Sequence, residues 1–234
     1  MFTRKLERVG AVILALGSAG FVAIFLYLQA TFSYPDILER DAGDVLVRLL
    51  DGGPTLRGVW VLYALLPLSL LAAGIASMPL LEDGGGRGLA RIGAVAAIVA
   101  SLTMMLGLLR WPSISWSLSQ HWTDATPDQR EIYAAMFDAA NRYLGNLTGE
   151  LIGELALAGW FASIGMALRL AERPRWGTGM HVAAAIVALG ALRQISPVFD
   201  PIAAVSNLVL PLSLFAIASL LWRHAAPVRG RVTA

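Results

Sequence analysis

Five polar residues recur at every fourth position of one largely apolar stretch: Asp138, Arg142, Asn146, Glu150 and Glu154. On an α-helix this spacing keeps neighbouring side chains on one face, which drifts by roughly 40° per step. The sequence stays apolar beyond the two glutamates, so the helix that carries them is expected to lie in a membrane. A carboxylate in hydrocarbon is costly, and we therefore expect both glutamates to face a bundle interior or a water-filled cavity that supplies a partner.

Candidate partners for these carboxylates stand on other apolar segments, toward the same end. The predicted polar cluster comprises Glu150, Glu154, Asn146, Arg142, Arg110, Arg193, Gln194 and Asn207. One interpretation is a polar cavity that opens outward, with the two glutamates at its floor. The other is an internal network of ion pairs that locks the bundle and binds no ligand. The residues alone leave both interpretations open.

The five polar residues at every fourth position are called the polar ladder below. A stripe of small residues runs beside this ladder: Gly145, Gly149 and Gly153. Glycines four positions apart let another helix approach closely within a membrane. One side of this helix is therefore expected to pack tightly against a neighbour, while the adjacent side is polar.

The composition is that of an integral membrane protein. Of the 234 residues, 57% are hydrophobic and only 15% are charged, and the mean hydropathy is +0.65. Soluble domains average about 25% charged residues. The net charge of +2 gives no support for nucleic-acid binding, and the absence of cysteine excludes disulfides and thiolate metal sites. The preference for arginine over lysine, with abundant alanine and glycine, is typical of a bacterial protein, so we expect the bacterial inner membrane.

Six segments are apolar enough to cross a hydrocarbon core of about 30 Å, which needs roughly 20 helical residues. The predicted spans are about 9–32, 58–81, 89–111, 144–170, 177–197 and 202–223. Together they predict an all-α transmembrane bundle that occupies residues 1–234 as a single domain. The fifth span is the least regular, because Arg193 and Gln194 interrupt its end.

The distribution of basic residues predicts the orientation. The side that holds both termini carries eleven of the 18 Arg and Lys residues, with Arg229 and Arg231 among them, and the other side carries seven. Cytoplasmic loops are the ones enriched in Arg and Lys, so both termini are predicted to be cytoplasmic.

The two outer loops are long and are predicted to contain amphipathic helices. In the first loop, Val45, Leu46, Leu49 and Leu50 fall on one side of a helix that closes at a Gly-Gly-Pro turn. The second loop begins with Trp111, Trp116 and Trp122 among polar residues, which suits a helix in the headgroup layer. Thr126 is then expected to cap a following helix.

Signatures of catalysis and of metal binding are missing from the sequence. It contains no HExxH, GxSxG or Walker motif and no metal-ligand spacing, and its three histidines offer no facing intramembrane pair for a haem. We therefore assign no catalytic residue, no metal and no cofactor.

The chain resembles the bacterial multipass proteins of the domain-of-unknown-function family 4386. The resemblance lies in the arginine-flanked first span, the short cytoplasmic turns, and the stretch 141–145 that leads into the Gly149-Glu150 and Gly153-Glu154 pairs. It implies a small inner-membrane protein with about six helices, and it implies no particular activity.

Three functions are consistent with these features. A structural or accessory subunit of a membrane complex ranks first, with other membrane subunits or further copies of the chain as partners besides the lipid bilayer. Binding or transport of a small molecule or lipid through the polar cavity ranks second. An intramembrane enzyme that uses Glu150 or Glu154 as acid or base ranks last, because no second catalytic group is identified.

Overall fold

The computed structural model describes residues 2–226, and this part of the chain is helical, without any β-strand. The predicted all-α class is confirmed. The helices are α1 (Phe2–Phe32), α2 (Ala42–Asp51), α3 (Gly53–Leu65), α4 (Leu68–Ala76), α5 (Met78–Leu109), α6 (Trp116–Trp122), α7 (Pro127–Ala140), α8 (Gly153–Leu170), α9 (Pro174–Ala191) and α10 (Asp200–His224). Two π-helices, Trp111–Ser115 and Asn141–Ile152, and three 3-10 turns, Asp36–Glu39, Leu192–Gln194 and Pro197–Phe199, connect them.

Five helical stretches are long and apolar enough to cross a membrane: Arg4–Phe32, Gly53–Ala76, Met78–Trp122, Pro127–Leu170 and Pro197–His224. They contain most of the first four predicted spans and the sixth. The fifth predicted span, 177–197, corresponds to α9, which is not among the five and ends at Ala191. Polar residues such as Arg175 and His181 occupy its first half, which lowers its hydropathy. Arg193 and Gln194 lie in the 3-10 turn beyond it.

The predicted turn between the second and third spans is centred on Gly86. This residue has φ of +78° inside α5, where the helix is interrupted. Glycine adopts a positive φ without steric cost. Contacts across the turn are antiparallel, because a Cβ placed on Gly93 would lie 2.6 Å from Leu81 and Gly74 faces Ala97. The chain therefore reverses direction at Gly86.

The inner core of the bundle lies between α1, α4, α5, α8, α9 and α10. It consists largely of alanine and leucine around two fully buried aromatic residues, Trp160 and Phe161. The Trp160 indole N–H donates to the hydroxyl of Ser77 at 3.2 Å, which satisfies its polar atom inside the core.

A second, outer core is formed by the loop helices together with α1 and α3, and seven of its 14 buried residues are aromatic. The rings of Trp60 and Trp111 stack with centroids 4.6 Å apart, and Tyr34 meets Trp60 edge-on at 5.3 Å. Trp111 and Trp116 are buried here among other side chains of the protein, and the placement of the second outer loop in the headgroup layer stays a prediction. The sequence pattern could not reveal that Trp60, on another helix, would cover Trp111.

Local signals in the outer loops are realised as expected. The amphipathic helix α2 buries Val45, Leu46 and Leu49 against the outer core. Thr126 caps α7, because its hydroxyl accepts from the Gln129 N–H while the Gln129 side chain accepts from the Thr126 N–H at 2.9 Å. This reciprocal capping box fixes the start of the helix.

The helix that joins the outer core to the bundle is longer than a bilayer is thick. The helical stretch Pro127–Leu170 is continuous over 44 residues. At about 1.5 Å per residue it is about 66 Å long, roughly twice the hydrocarbon core of a membrane. With α8 in a bilayer, part of this stretch must therefore extend outside the hydrocarbon.

The start of α1 and the end of α10 lie at the same end of the bundle. Nδ1 of His224 is 2.5 Å from the carboxylate of Glu7, which is 2% exposed, and Nε2 is 3.2 Å from the carboxylate of Asp83. The His224 side chain thus joins the end of α10 to the start of α1 and to the helical segment before the Gly86 turn. Arg229 and Arg231, which the charge count assigns to this side, lie outside the described residues.

Candidate functional site

Four residues of the predicted cluster meet at one guanidinium group. Arg193 donates to both carboxylate oxygens of Glu154 at 2.9 Å and to Glu150 at 3.0 Å. The amide of Gln194 donates to the same Glu150 oxygen. A bidentate arginine–carboxylate pair adds geometric specificity to its energy. The cluster joins the helix that carries both glutamates to the turn after α9.

Burial within this cluster increases from Glu150 through Arg193 to Glu154. The side chain of Glu150 is 28% exposed, that of Arg193 is 20% exposed and that of Glu154 is 10% exposed. Within residues 2–226 the two carboxylates share one guanidinium, so with both of them ionised one negative charge is in excess at contact distance. An excess charge in a poorly solvated site is costly unless a further group neutralises it.

Three other predicted members do not join the cluster. Arg142 and Asn207 are exposed and Asn146 is half-buried, and none of the three forms a side-chain hydrogen bond or ion pair within residues 2–226. Asp138, the first residue of the ladder, is exposed as well. Only the deeper end of the ladder reaches the interior of the bundle.

The π-helix at residues 141–152 explains this divergence. Its backbone bonds run from residue i to i+5, so a turn contains more residues than the 3.6 of an α-helix. Positions four apart then no longer follow the drift expected of an α-helix. The hydroxyl of Thr148 likewise spans five residues, because it donates to the carbonyl of Tyr143 at 2.8 Å. Periodicity based on α-helical geometry could not predict which polar residues turn inward.

Arg110 is buried beside the cluster but bonds elsewhere. It is 3% exposed, and it donates to the Asn141 side chain at 2.8 Å and to the carbonyl of Gly107 at 2.6 Å. Its guanidinium carbon lies 5.2 Å from the ring centroid of Trp111, which permits a cation–π contact. Within the described residues it has no carboxylate in ion-pair distance. Asn141, rather than a glutamate, is therefore its polar partner, and the sequence analysis did not identify it.

Tyr34 lies where the outer core meets the polar cluster. Burial, with a further contribution from the negative charge of Glu150, raises the pKa of Tyr34 to about 12. Its hydroxyl is protonated at neutral pH, as it would be at the usual tyrosine pKa of 10, and it can donate a hydrogen bond. Tyr34 belongs to the loop after α1, which gave no sequence signal of proximity to residue 150.

The glycine stripe packs inside the protein. A Cβ on Gly107 of α5 would lie 2.8 Å from the Cα of Gly149, and a Cβ on Gly153 would lie 2.8 Å from the side chain of Met104. A Cβ on Gly145 would come within 2.7 Å of the Arg110 guanidinium. The stripe thus lets α5 approach the π-helix and makes room for the buried arginine, as expected of small residues between membrane helices.

Two surface pockets lie at opposite ends of the part of the chain that the structure describes, and neither of these two is lined by Glu150 or Glu154. One, of about 320 Å³, lies between α1 and α2 and is bounded by Arg48 and Asp51. The other, of about 580 Å³, lies at the end that holds the termini. The outward cavity with the glutamates at its floor stays a prediction. Within residues 2–226, no three His, Asp or Glu side chains are close enough to hold a metal ion.

A comparison with protein families matches residues 9–222 to a domain of unknown function, DUF4386. No curated protein and no solved structure matches the chain. The family match includes the polar ladder, the glycine stripe and both cores, and it confirms the resemblance seen at residues 141–154. The chain is therefore a member of the DUF4386 family, and the length and apolar character of its own helices are those of a membrane protein.

Proposed function

We propose that this protein is a structural or accessory subunit of a complex in the bacterial inner membrane. The observation that carries the proposal is that the chain's own side chains bond to its buried charged groups: Arg193 and Gln194 donate to the two glutamates, and Asn141 accepts from Arg110. A site for a substrate needs polar groups that remain free to bind it. Here those groups hold helices together.

The surface that supports a partner is the outer face of α7. Ile132 is 58% exposed and Met136 is 50% exposed, one turn apart on a face of α7 that does not include the buried Phe137. Tyr143 continues the stripe. This part of the long helix stands beyond the hydrocarbon, where a row of exposed apolar side chains is typical of a protein interface. The occupant proposed is another membrane subunit.

Cross-linking from this face tests the accessory role. Because the chain has no cysteine, Ile132→Cys and Met136→Cys each introduce a single thiol. After attachment of a thiol-reactive photo-cross-linker in native membranes, we expect one adduct of defined mass. Asp138→Cys is the matched control, since it is exposed on a different face of α7, and it should give little of that adduct. An adduct of twice the chain mass would identify a second copy as the partner. No protein adduct from either position would contradict the proposal.

Six spans with cytoplasmic termini are part of the same proposal. The contact of His224 with Glu7 supports an even number of crossings, because an odd number would separate the two ends of the chain. The five strongly apolar stretches are an odd number, so α9 is proposed as the remaining crossing. Its 18 residues extend about 27 Å at 1.5 Å per residue, close to the hydrocarbon thickness.

Labelling of single thiols from one side of the membrane tests this topology. In intact spheroplasts, a membrane-impermeant maleimide is expected to label Asp128→Cys and to spare Arg4→Cys, Arg87→Cys and Ala226→Cys until the membrane is opened. Equal protection of Arg4→Cys and Ala226→Cys would follow from six crossings. Labelling of only one of these two would require an odd number of crossings, and the reverse pattern at all four positions would invert the orientation.

Binding of a small molecule, lipid or ion at the glutamates is the second candidate function. It is favoured by the charge count of the cluster, in which Glu150 and Glu154 share a single ion-paired arginine. The partial exposure of Glu150 leaves a route from the outer side. A cation or a cationic group of a substrate would neutralise the excess charge. The response to loss of Arg193, argued in the Discussion, separates this candidate from the structural role.

A further inference from the structure

The larger pocket, of about 580 Å³, lies where the loop between α8 and α9 meets the end of α10. Its walls carry Arg173, Arg175 and Arg223 with a single acid, Glu172. The lining therefore has a net charge of +2. Within residues 2–226, none of the three arginines forms an ion pair, and all three are exposed. Their donors remain free for a ligand.

The backbone adds further donors to this pocket. Pro174 is the first residue of α9, so the N–H groups of Arg175 and Trp176 belong to the first helical turn. These groups have no acceptor within the helix, and the helix dipole favours negative charge at this end. An anion held by arginines at the start of an 18-residue helix is thus bound by both side chains and main chain.

The remaining wall of the pocket is apolar and lies where two helical stretches of membrane-spanning length end. Trp176 and Leu220 line it beside the arginines. Two apolar membrane-crossing stretches end here, at Leu170 and His224. Trp176 and Trp222 are each 52% exposed at this level, as aromatic residues are at membrane–water interfaces. A ligand here meets water and arginine on one side and hydrocarbon on the other.

We propose that this pocket binds the phosphate headgroup of an anionic phospholipid. Arg173, Arg175 and Arg223 contact the phosphate, and Trp176 and Leu220 contact the glycerol and the first carbons of the acyl chains. Arginine forms bidentate hydrogen bonds to phosphate oxygens. Basic pockets between helix ends on the cytoplasmic side suit anionic headgroups. A free phosphate ion would gain nothing from the apolar wall, so the lipid is the occupant to which the proposal commits.

The test uses the full purified chain in a neutral detergent, titrated with phosphatidylglycerol, with phosphatidylcholine, or with inorganic phosphate. We expect phosphatidylglycerol to raise the thermal unfolding midpoint saturably, and the other two to leave it unchanged at equal concentration. In Arg173→Gln/Arg175→Gln, the apparent Kd for phosphatidylglycerol should rise about thirtyfold, since each arginine near a membrane surface contributes about a fivefold attraction. Native mass spectrometry should show one bound lipid fewer.

The matched control is Arg87→Gln/Arg91→Gln, which removes two exposed arginines from the same end of the bundle. It should retain the phosphatidylglycerol effect. If this control lost the phosphatidylglycerol effect equally, general surface charge and not the pocket would account for binding. If phosphatidylcholine raised the unfolding midpoint as much as phosphatidylglycerol, the protein would not distinguish the headgroups. A response to inorganic phosphate as large as that to the lipid would replace the lipid by a free anion. Each of these three results overturns the proposal.

A second pair of variants keeps the test decisive if the double variant unfolds. Arg223→Gln alters the pocket from α10 and leaves the α8–α9 loop intact, and about a fivefold weaker binding is expected. Arg173→Lys/Arg175→Lys retains the charge but removes bidentate bonding, so its affinity should fall between those of the native chain and the glutamine variant. Unchanged affinity for phosphatidylglycerol in Arg223→Gln would contradict the assignment of Arg223 to the headgroup site.

Discussion

Replacing Arg193 with glutamine is expected to destabilise the protein by about 3–5 kcal/mol, the cost of leaving buried charges without their partner. In this variant, the carboxylates of Glu150 and Glu154 lose three of their hydrogen bonds and the only cation within residues 2–226 that contacts them. The measurement is thermal or denaturant unfolding in one detergent. The loss should shrink in Arg193→Gln/Glu154→Gln, because the most buried negative charge is then also removed.

Arg142→Gln is the matched control for this experiment. It removes an arginine from the same ladder, but Arg142 is exposed and forms no ion pair within residues 2–226. A surface charge of this kind is worth about 0–1 kcal/mol. If Arg193→Gln cost no more than this control, the cluster would not lock the bundle. Two buried glutamates that do not contribute to stability would then favour the second candidate function, the binding of a ligand or ion.

Local and periodic signals predicted those parts of the fold that depend on neighbouring residues. Long apolar runs located the membrane helices because the bilayer sets their length. Thr126 and Gln129 marked the start of α7 because a capping box is complete within four residues. The turn between the second and third predicted spans was located correctly, and Gly86 within it adopts a φ that few other residues tolerate.

Contacts between distant segments were predicted only where a charge required a partner. A buried glutamate needs a cation, and few were available at the same depth, so Arg193 was among the candidates. Arg110 met the same criterion, yet it bonds to Asn141, because the π-helix changes which side chains face inward. The choice between two arginines depends on backbone register, which the pattern of residue types does not reveal.

The outer core and the His224 contact had no sequence signal of comparable strength. Trp111 and Trp116 read as interfacial because their neighbours are polar, whereas burial of these rings depends on Trp60, about fifty residues earlier. His224 contacts Glu7 from the other end of the chain. Such pairs follow from helix packing, and a single sequence contains no measure of which helices are adjacent.

Alanine at the closest helix contact should reveal how much stability depends on the glycine stripe. A Cβ on Gly107 would lie 2.8 Å from the Cα of Gly149 and 3.0 Å from the carbonyl of Leu144. These are backbone atoms, so the helices must separate to admit the methyl group. We expect Gly107→Ala to destabilise the protein by about 1–3 kcal/mol, the usual cost of overpacking, as measured by unfolding in detergent.

Gly58→Ala provides the matched control, because a Cβ there has no atom within 4 Å. Alanine suits a helix better than glycine, by about 1 kcal/mol, so this control should be neutral or stabilising. Gly107→Ala/Gly149→Ala should cost less than the sum of the two single variants, since both methyl groups enter the same gap and the first already separates the helices. Strict additivity, or equal effects of Gly107→Ala and Gly58→Ala, would show that this approach does not limit packing. A subadditive loss would instead mean that the stripe sets the distance between α5 and the π-helix, and with it the position of Arg110 beside the glutamates.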